Sequence, residues 1–119
     1  MKRIVLILLG VLAIALVAGA AWLWTPDLPR ATLEARYFDA SSSYVEVDGV
    51  RLHVRESGPN NVPVVIMLHG FGASLHTWEP WAKALSSDHR VVRFDLPGFG
   101  LTGADPSGNY SDERSVGLL

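Results

Sequence analysis

The sequence predicts a three-layer α/β fold built on a parallel strand–helix–strand unit, with one apolar helix ahead of it. Three observations carry this. The run Val64-Val65-Ile66-Met67-Leu68 is short, rich in β-branched residues and bounded by Pro63 and Gly70. That pattern reads as a strand buried on both faces, as in a parallel sheet. His69-Gly70-Phe71-Gly72 breaks the run, and a helical pattern over Ser74–Ser87 leads to a second strand, Arg90-Val91-Val92-Arg93-Phe94. A right-handed crossover makes the two strands parallel neighbours. Finally, Asp48-Gly49 separates two alternating runs, 43–47 and 50–57, which is a strong hairpin signal.

The elements follow in order. Ile4 to Trp24 carries no charge and no proline over 21 residues. As a helix rising about 1.5 Å per residue it spans about 31 Å, close to the thickness of a bilayer core. Lys2 and Arg3 precede it. Two readings stand: a cleaved secretory signal with Ala18-Gly19-Ala20 at the cleavage site, or a retained signal anchor. The length of the run and an aromatic belt at Trp22 and Trp24 favour a transmembrane anchor. The positive-inside rule then puts the amino terminus in the cytoplasm and the domain on the extracytoplasmic side. Residues 1–24 are thus the anchor, 25–42 a proline-containing linker with a short helix over 30–38, and 43–119 the domain.

Charged residues alternate with apolar ones in the hairpin, which suits an antiparallel pair at a sheet edge. After Gly72, Trp78, Trp81, Ala82 and Leu85 recur at helical spacing and define one apolar face, with Ser74 or Thr77 as cap. Asp95-Leu96-Pro97-Gly98-Phe99-Gly100 turns the chain after the second strand. A polar loop follows to Tyr110. Ser111 caps a last helix, with Asp112 and Glu113 in its first turn, where acids suit the dipole.

Composition excludes several classes. The chain of 119 residues has 10 basic and 12 acidic residues and no cysteine. Basic residues do not cluster after the apolar segment, so nucleic-acid binding has no electrostatic footprint. Without cysteine there is no disulfide and no thiolate metal site.

Taken together, the hairpin, the strand ending in His69-Gly70-Phe71-Gly72, Trp78, and Arg93-Phe94-Asp95-Leu96-Pro97-Gly98-Phe99-Gly100 match one family. The chain resembles the amino-terminal part of an α/β-hydrolase, in the branch that holds esterases, acylglycerol lipases and epoxide hydrolases. The resemblance covers about 44–119 and implies a sheet truncated after about four strands. It implies that the Phe71 backbone N–H is one donor of an oxyanion hole, with His69, Gly70 and Gly72 shaping the loop. One such donor is worth about 3 kcal/mol in the transition state. Phe71 and Phe99 are candidates for lining the substrate pocket, and Trp78 a weaker one. Asp95 is expected to anchor its loop, and His53, His76 and His89 to be surface or packing residues.

The implied activity is hydrolysis of an acyl ester or acylglycerol at a membrane by a serine nucleophile. No metal and no organic cofactor is implied. The G-x-S-x-G turn is absent, and no histidine follows His89. The nucleophile, acid and base are therefore expected beyond Leu119, and residues 1–119 by themselves to be inactive. An Asp nucleophile, as epoxide chemistry uses, is equally out of view.

Two rival readings remain. One is an inactive membrane-tethered module. The other is a dinucleotide-binding domain, since Gly98-Phe99-Gly100-Leu101-Thr102-Gly103 fits G-x-G-x-x-G. That motif requires a helix to begin within it. Ala104-Asp105-Pro106-Ser107-Gly108-Asn109 reads instead as loop.

Overall fold

The computed structural model describes residues 2–119. Its elements are α1 (Lys2–Leu23), α2 (Arg30–Tyr37), β1 (Ser42–Val47), β2 (Val50–Ser57), β3 (Val64–Leu68), α3 (Glu79–Leu85), β4 (Arg90–Phe94) and α4 (Asp112–Gly117). A 3₁₀ turn over Leu75–Trp78 runs directly into α3. The sheet order is β1-β2-β4-β3. β1 pairs antiparallel with β2, β2 antiparallel with β4, and β3 parallel with β4.

Local chemistry accounts for each join. Asp48 and Gly49 both take positive φ, at 47° and 78°. Two such residues make the tight hairpin turn whose twist matches the flanking strands. They bring Val47 opposite Val50. The Ser111 hydroxyl accepts the Arg114 N–H at 3.2 Å and caps α4. The expected single helix over 74–87 divides in two because Pro80 sits in the first turn of α3. Proline lacks an N–H and belongs at a helix start, so the preceding turn tightens to 3₁₀.

Alternation along the strands sorts side chains to two faces. Val50, Leu52, Val54 and Phe94 pack with Leu118 beyond α4. Met67 and Val91 pack with Ala82 of α3 on the other face. The sheet thus lies between helical layers. Trp81 departs from its expected inward face and is exposed, while Trp78, Ala82 and Leu85 do pack inward. β3 also departs from the expected burial on both faces, since Val64 is 54% and Ile66 45% exposed. On that face only Leu68, at the end of the strand, packs against the cluster that holds Leu118.

Among the described residues β3 pairs only with β4. Its outer edge presents unpaired N–H and C=O groups, a template for another strand. The 25–119 segment, freed of α1, is therefore expected to self-associate. Light scattering checks this, and a monodisperse sample that unfolds cooperatively overturns it.

α4 is tied down electrostatically. Asp105 accepts from Arg114 Nε at 2.7 Å and from the Ser107 N–H at 2.8 Å. Arg114 also reaches the Asp48 carbonyl at 3.0 Å. The Arg114 guanidinium, followed by the Ser107 donors, holds the Asp105 carboxyl down at about 2. A depressed native value gives stability that is present above the unfolded value and lost as pH falls through the native one. Asp105→Asn is expected to lower the urea midpoint at pH 7. The difference from the parent chain should close between about pH 4 and about pH 2. A gap that persists unchanged below that window refutes the assignment.

α1 is long and apolar enough to cross a membrane, and none of its residues is buried. α2 is fastened to the domain: Arg30 Nη2 donates to the Leu101 carbonyl at 2.7 Å, and the Tyr44 hydroxyl donates to Glu34 at 2.7 Å.

Candidate active site

β3 delivers its last residue, Leu68, to the carboxyl end of the parallel pair, where open α/β sheets place their sites. The next residues make one tight turn. The Ala73 N–H donates to the Gly70 carbonyl at 3.3 Å. Gly72 takes φ +70°, and Phe71 is not among the positive-φ residues. A positive φ only at the third position defines a type II turn. Gly72 is needed there, because a side chain in that conformation costs about 1–2 kcal/mol.

This turn fixes the direction of the Phe71 amide. The Gly70 carbonyl points into the turn, toward the Ala73 N–H, and a ring nitrogen of His69 approaches it at 2.8 Å. A trans peptide sets N–H opposite C=O. The Phe71 N–H therefore points out of the turn, and it donates to no protein acceptor among the described residues.

His69 is buried and bonded at both nitrogens. Nε2 accepts the Leu96 N–H at 3.0 Å, which requires a lone pair there. The network thus assigns the proton to Nδ1, which donates to the Gly70 carbonyl. A ring so engaged holds the loop.

The end of β4 is organised by Asp95, only 1% exposed. Its Oδ1 accepts the Leu75 N–H at 2.8 Å, and its Oδ2 accepts the Leu101 N–H at 2.9 Å and His53 Nδ1 at 2.8 Å. Burial pushes this carboxyl up, but the His53 ring and the two amides more than offset it and hold it below its ordinary value. Gly100 takes φ +51°, and a Cβ there would overlap the Asp95 carboxylate. These contacts match the expected anchoring role of Asp95.

Around the turn, Phe71 is 98% exposed. Its ring meets Phe99 edge-to-face at 5.8 Å, and Phe99 meets His69 at 5.5 Å. A cavity of about 190 Å³ is lined by Gly70, Phe71, Leu96, Pro97, Phe99, Asn109, Tyr110, Arg114 and Ser115. The two expected pocket residues thus meet beside the outward amide, and Trp78 is not among the lining. A larger cavity of about 620 Å³ lies under α2, lined by Leu33, Tyr37, Ser74, His76, Asp95, Gly100 and Leu101. Burial, then the neighbouring Arg55, pushes His76 below its ordinary value.

Beyond Gly103 no helix begins until Asp112, and Gly100 serves the Asp95 carboxylate. The dinucleotide reading is therefore set aside: no helix start faces the glycines. Among the described residues no group of three or more His, Asp or Glu is placed to hold a metal ion.

Sequence reasoning missed the pairing of His53 with Asp95. Those residues lie 42 positions apart. They meet because β2 runs antiparallel to β4 with Val54 opposite Phe94, which puts His53 opposite Asp95. No local spacing announces that register.

Comparison with known proteins bears on the fold. The family model for the alpha/beta hydrolase fold matches residues 63–116. Epoxide hydrolase 3 of Xenopus tropicalis is 34% identical over 71 residues, covering 60% of this chain and 19% of that protein. The Magnesium-chelatase 30 kDa subunit of Rhodobacter capsulatus is 35% identical over 74 residues, covering 62% and 26%. The crystal structure of the Cif epoxide hydrolase from Acinetobacter nosocomialis superposes with a TM-score of 0.62 at 30% identity, covering 82% of this chain and 34% of that one. The chain has the α/β-hydrolase fold over the part that these comparisons cover. It spans about a quarter or less of the length of the curated relatives, at 26%, 26% and 19% for three of them.

Proposed function

We propose that this chain is the amino-terminal part of an α/β-fold hydrolase, and that it carries one arm of the oxyanion hole. The observation behind this reading is the Phe71 N–H, which faces out of a type II turn at the sheet's carboxyl edge, beside a small cavity. Acyl transfer builds negative charge on a carbonyl oxygen, and a fixed amide stabilises that charge without reorganising. The nucleophile, acid and base come from residues beyond Leu119. The substrate is an ester or acylglycerol attacked by a serine, with the domain held outside the cytoplasm by α1 as a single-pass anchor. Phe71 and Phe99 line the approach.

A second substrate reading has its own support, because several relatives are named epoxide hydrolases. A carboxylate that opens an epoxide becomes an ester. Hydrolysis of that ester again builds an oxyanion, so the same amide serves either reaction.

The test is turnover. The whole gene product in membranes is expected to hydrolyse a nitrophenyl ester or styrene oxide, and the substrate accepted selects between the two readings. Residues 1–119 alone are expected to hydrolyse neither. Turnover by purified 1–119, or none by the whole product on either substrate, defeats the proposal.

A further inference from the structure

His53 is fully buried in the middle of β2, an unusual place for a histidine on a strand that otherwise alternates apolar and charged residues. Its Nδ1 bonds Asp95 at 2.8 Å, and its Nε2 stands 3.0 Å from the Ser42 hydroxyl. Phe38 and Tyr44 pack on the ring, with centroids at 5.5 and 5.9 Å. Serine, histidine and aspartate at these distances have the connectivity of a hydrolytic triad. The surroundings do not. The Ser42 N–H is spent on the Asp39 carbonyl and the Ser41 N–H on the Asp39 carboxylate. Neither of these amides is free to hold an oxyanion, and Ser42 lines neither cavity near the site.

The far end of the group shows what it does. The loop that carries Phe71 runs from His69 to Leu75. At its start, His69 accepts the Leu96 N–H, and at its end the Leu75 N–H is taken by the Asp95 carboxylate. Two successive residues of one strand end thus clamp both ends of the loop. Asp95 is in turn oriented by His53, and His53 by Ser42.

We infer that Ser42, His53 and Asp95 form a buried positioning relay that sets the loop presenting the Phe71 amide. Its catalytic consequence rests on the oxyanion role proposed above; the relay itself does not. Asp95 has two carboxylate oxygens and three donors to serve. With the His53 N–H present, one oxygen is held toward Leu101 and the other toward Leu75. Without it, the carboxylate is free to rotate, and the Leu75 amide loses a fixed acceptor.

The experiment is amide hydrogen exchange by NMR on the full chain in detergent micelles, with no substrate present. His53→Leu keeps the apolar packing and removes both ring nitrogens. Leu75 and Leu101 are expected to exchange at least about tenfold faster, with the β1–β2 amides of Val45 and Leu52 unchanged. His53→Asn restores a donor toward Asp95 and should return both rates to within about threefold of the parent. Ser42→Ala removes the outer contact to His53, together with the hydroxyl's exposed bonds to Asp39, and leaves the buried pair in place, so it reports even where His53→Leu does not fold. It should raise both rates about two- to threefold. Unchanged rates at Leu75 and Leu101, or a uniform rise across the sheet, overturn the relay. Loss of hydrolysis by the whole product with these rates as expected would instead remove the proposed activity and leave the relay standing.

Discussion

Replacing Asp95 by alanine is expected to lower the unfolding free energy by about 3–5 kcal/mol, the range for removing one partner of a buried, hydrogen-bonded ion group. Three donors lose their acceptor at once: His53 Nδ1 and the Leu75 and Leu101 amides. All lie where water does not readily replace the carboxylate. The loss depends on pH. The Asp95 carboxyl is held below its ordinary value. Its contribution is therefore complete above the unfolded value, about 4, and fades as pH falls through the lower native value. Urea unfolding of the full chain in micelles at pH 7 and in acid measures both. Gly100→Ala approaches the same carboxylate from the other side and should also be strongly destabilising. An alanine at Asp95 that costs less than about 1 kcal/mol means the network is not a structural centre.

That network shows where the sequence could be read and where it could not. The hairpin was legible because Asp-Gly at its centre has one physical use between alternating runs. β4 was legible at its residue boundaries, since Arg90–Phe94 is a β-branched run closed by a turn. The turn at Gly70–Ala73 was legible as a bend, because two glycines flank one residue. The anchoring by Asp95 was anticipated, but its partners were not. His53 becomes the neighbour of Asp95 only through a strand pairing that spans the chain from β2 to β4. Trp81 misled because helical spacing does not reveal that Pro80 resets the helix start and rotates the face. The exposed face of β3 misled because an apolar run reports what a strand can be buried by, not what lies against it.

Phe71→Pro is the other large effect. The second position of a type II turn favours proline, so the substitution fits the backbone and deletes one N–H. If that N–H is the oxyanion donor, turnover by the whole product is expected to fall about 10²- to 10³-fold, or about 3–4 kcal/mol, with KM little changed. Phe71→Ala keeps the amide and removes the exposed ring that meets Phe99. It should act mainly on KM. The pair separates the main-chain role from the side-chain role at one position. A proline variant that keeps turnover within about twofold excludes this amide as the donor.

The outward amide stands just past the carboxyl end of β3, whose outer margin is unpaired, since Leu68 ends that strand and Phe71 stands three residues on. Any strand that docks there aligns itself by hydrogen bonds in steps of two residues, about 7 Å each. If Phe71 holds the oxyanion as proposed, a slip of one such step would carry a nucleophile on the docking strand clear of that oxygen. Alignment along that margin therefore acts as a vernier: the same ladder that completes a sheet also decides whether two halves of a chemical machine stand within bonding range.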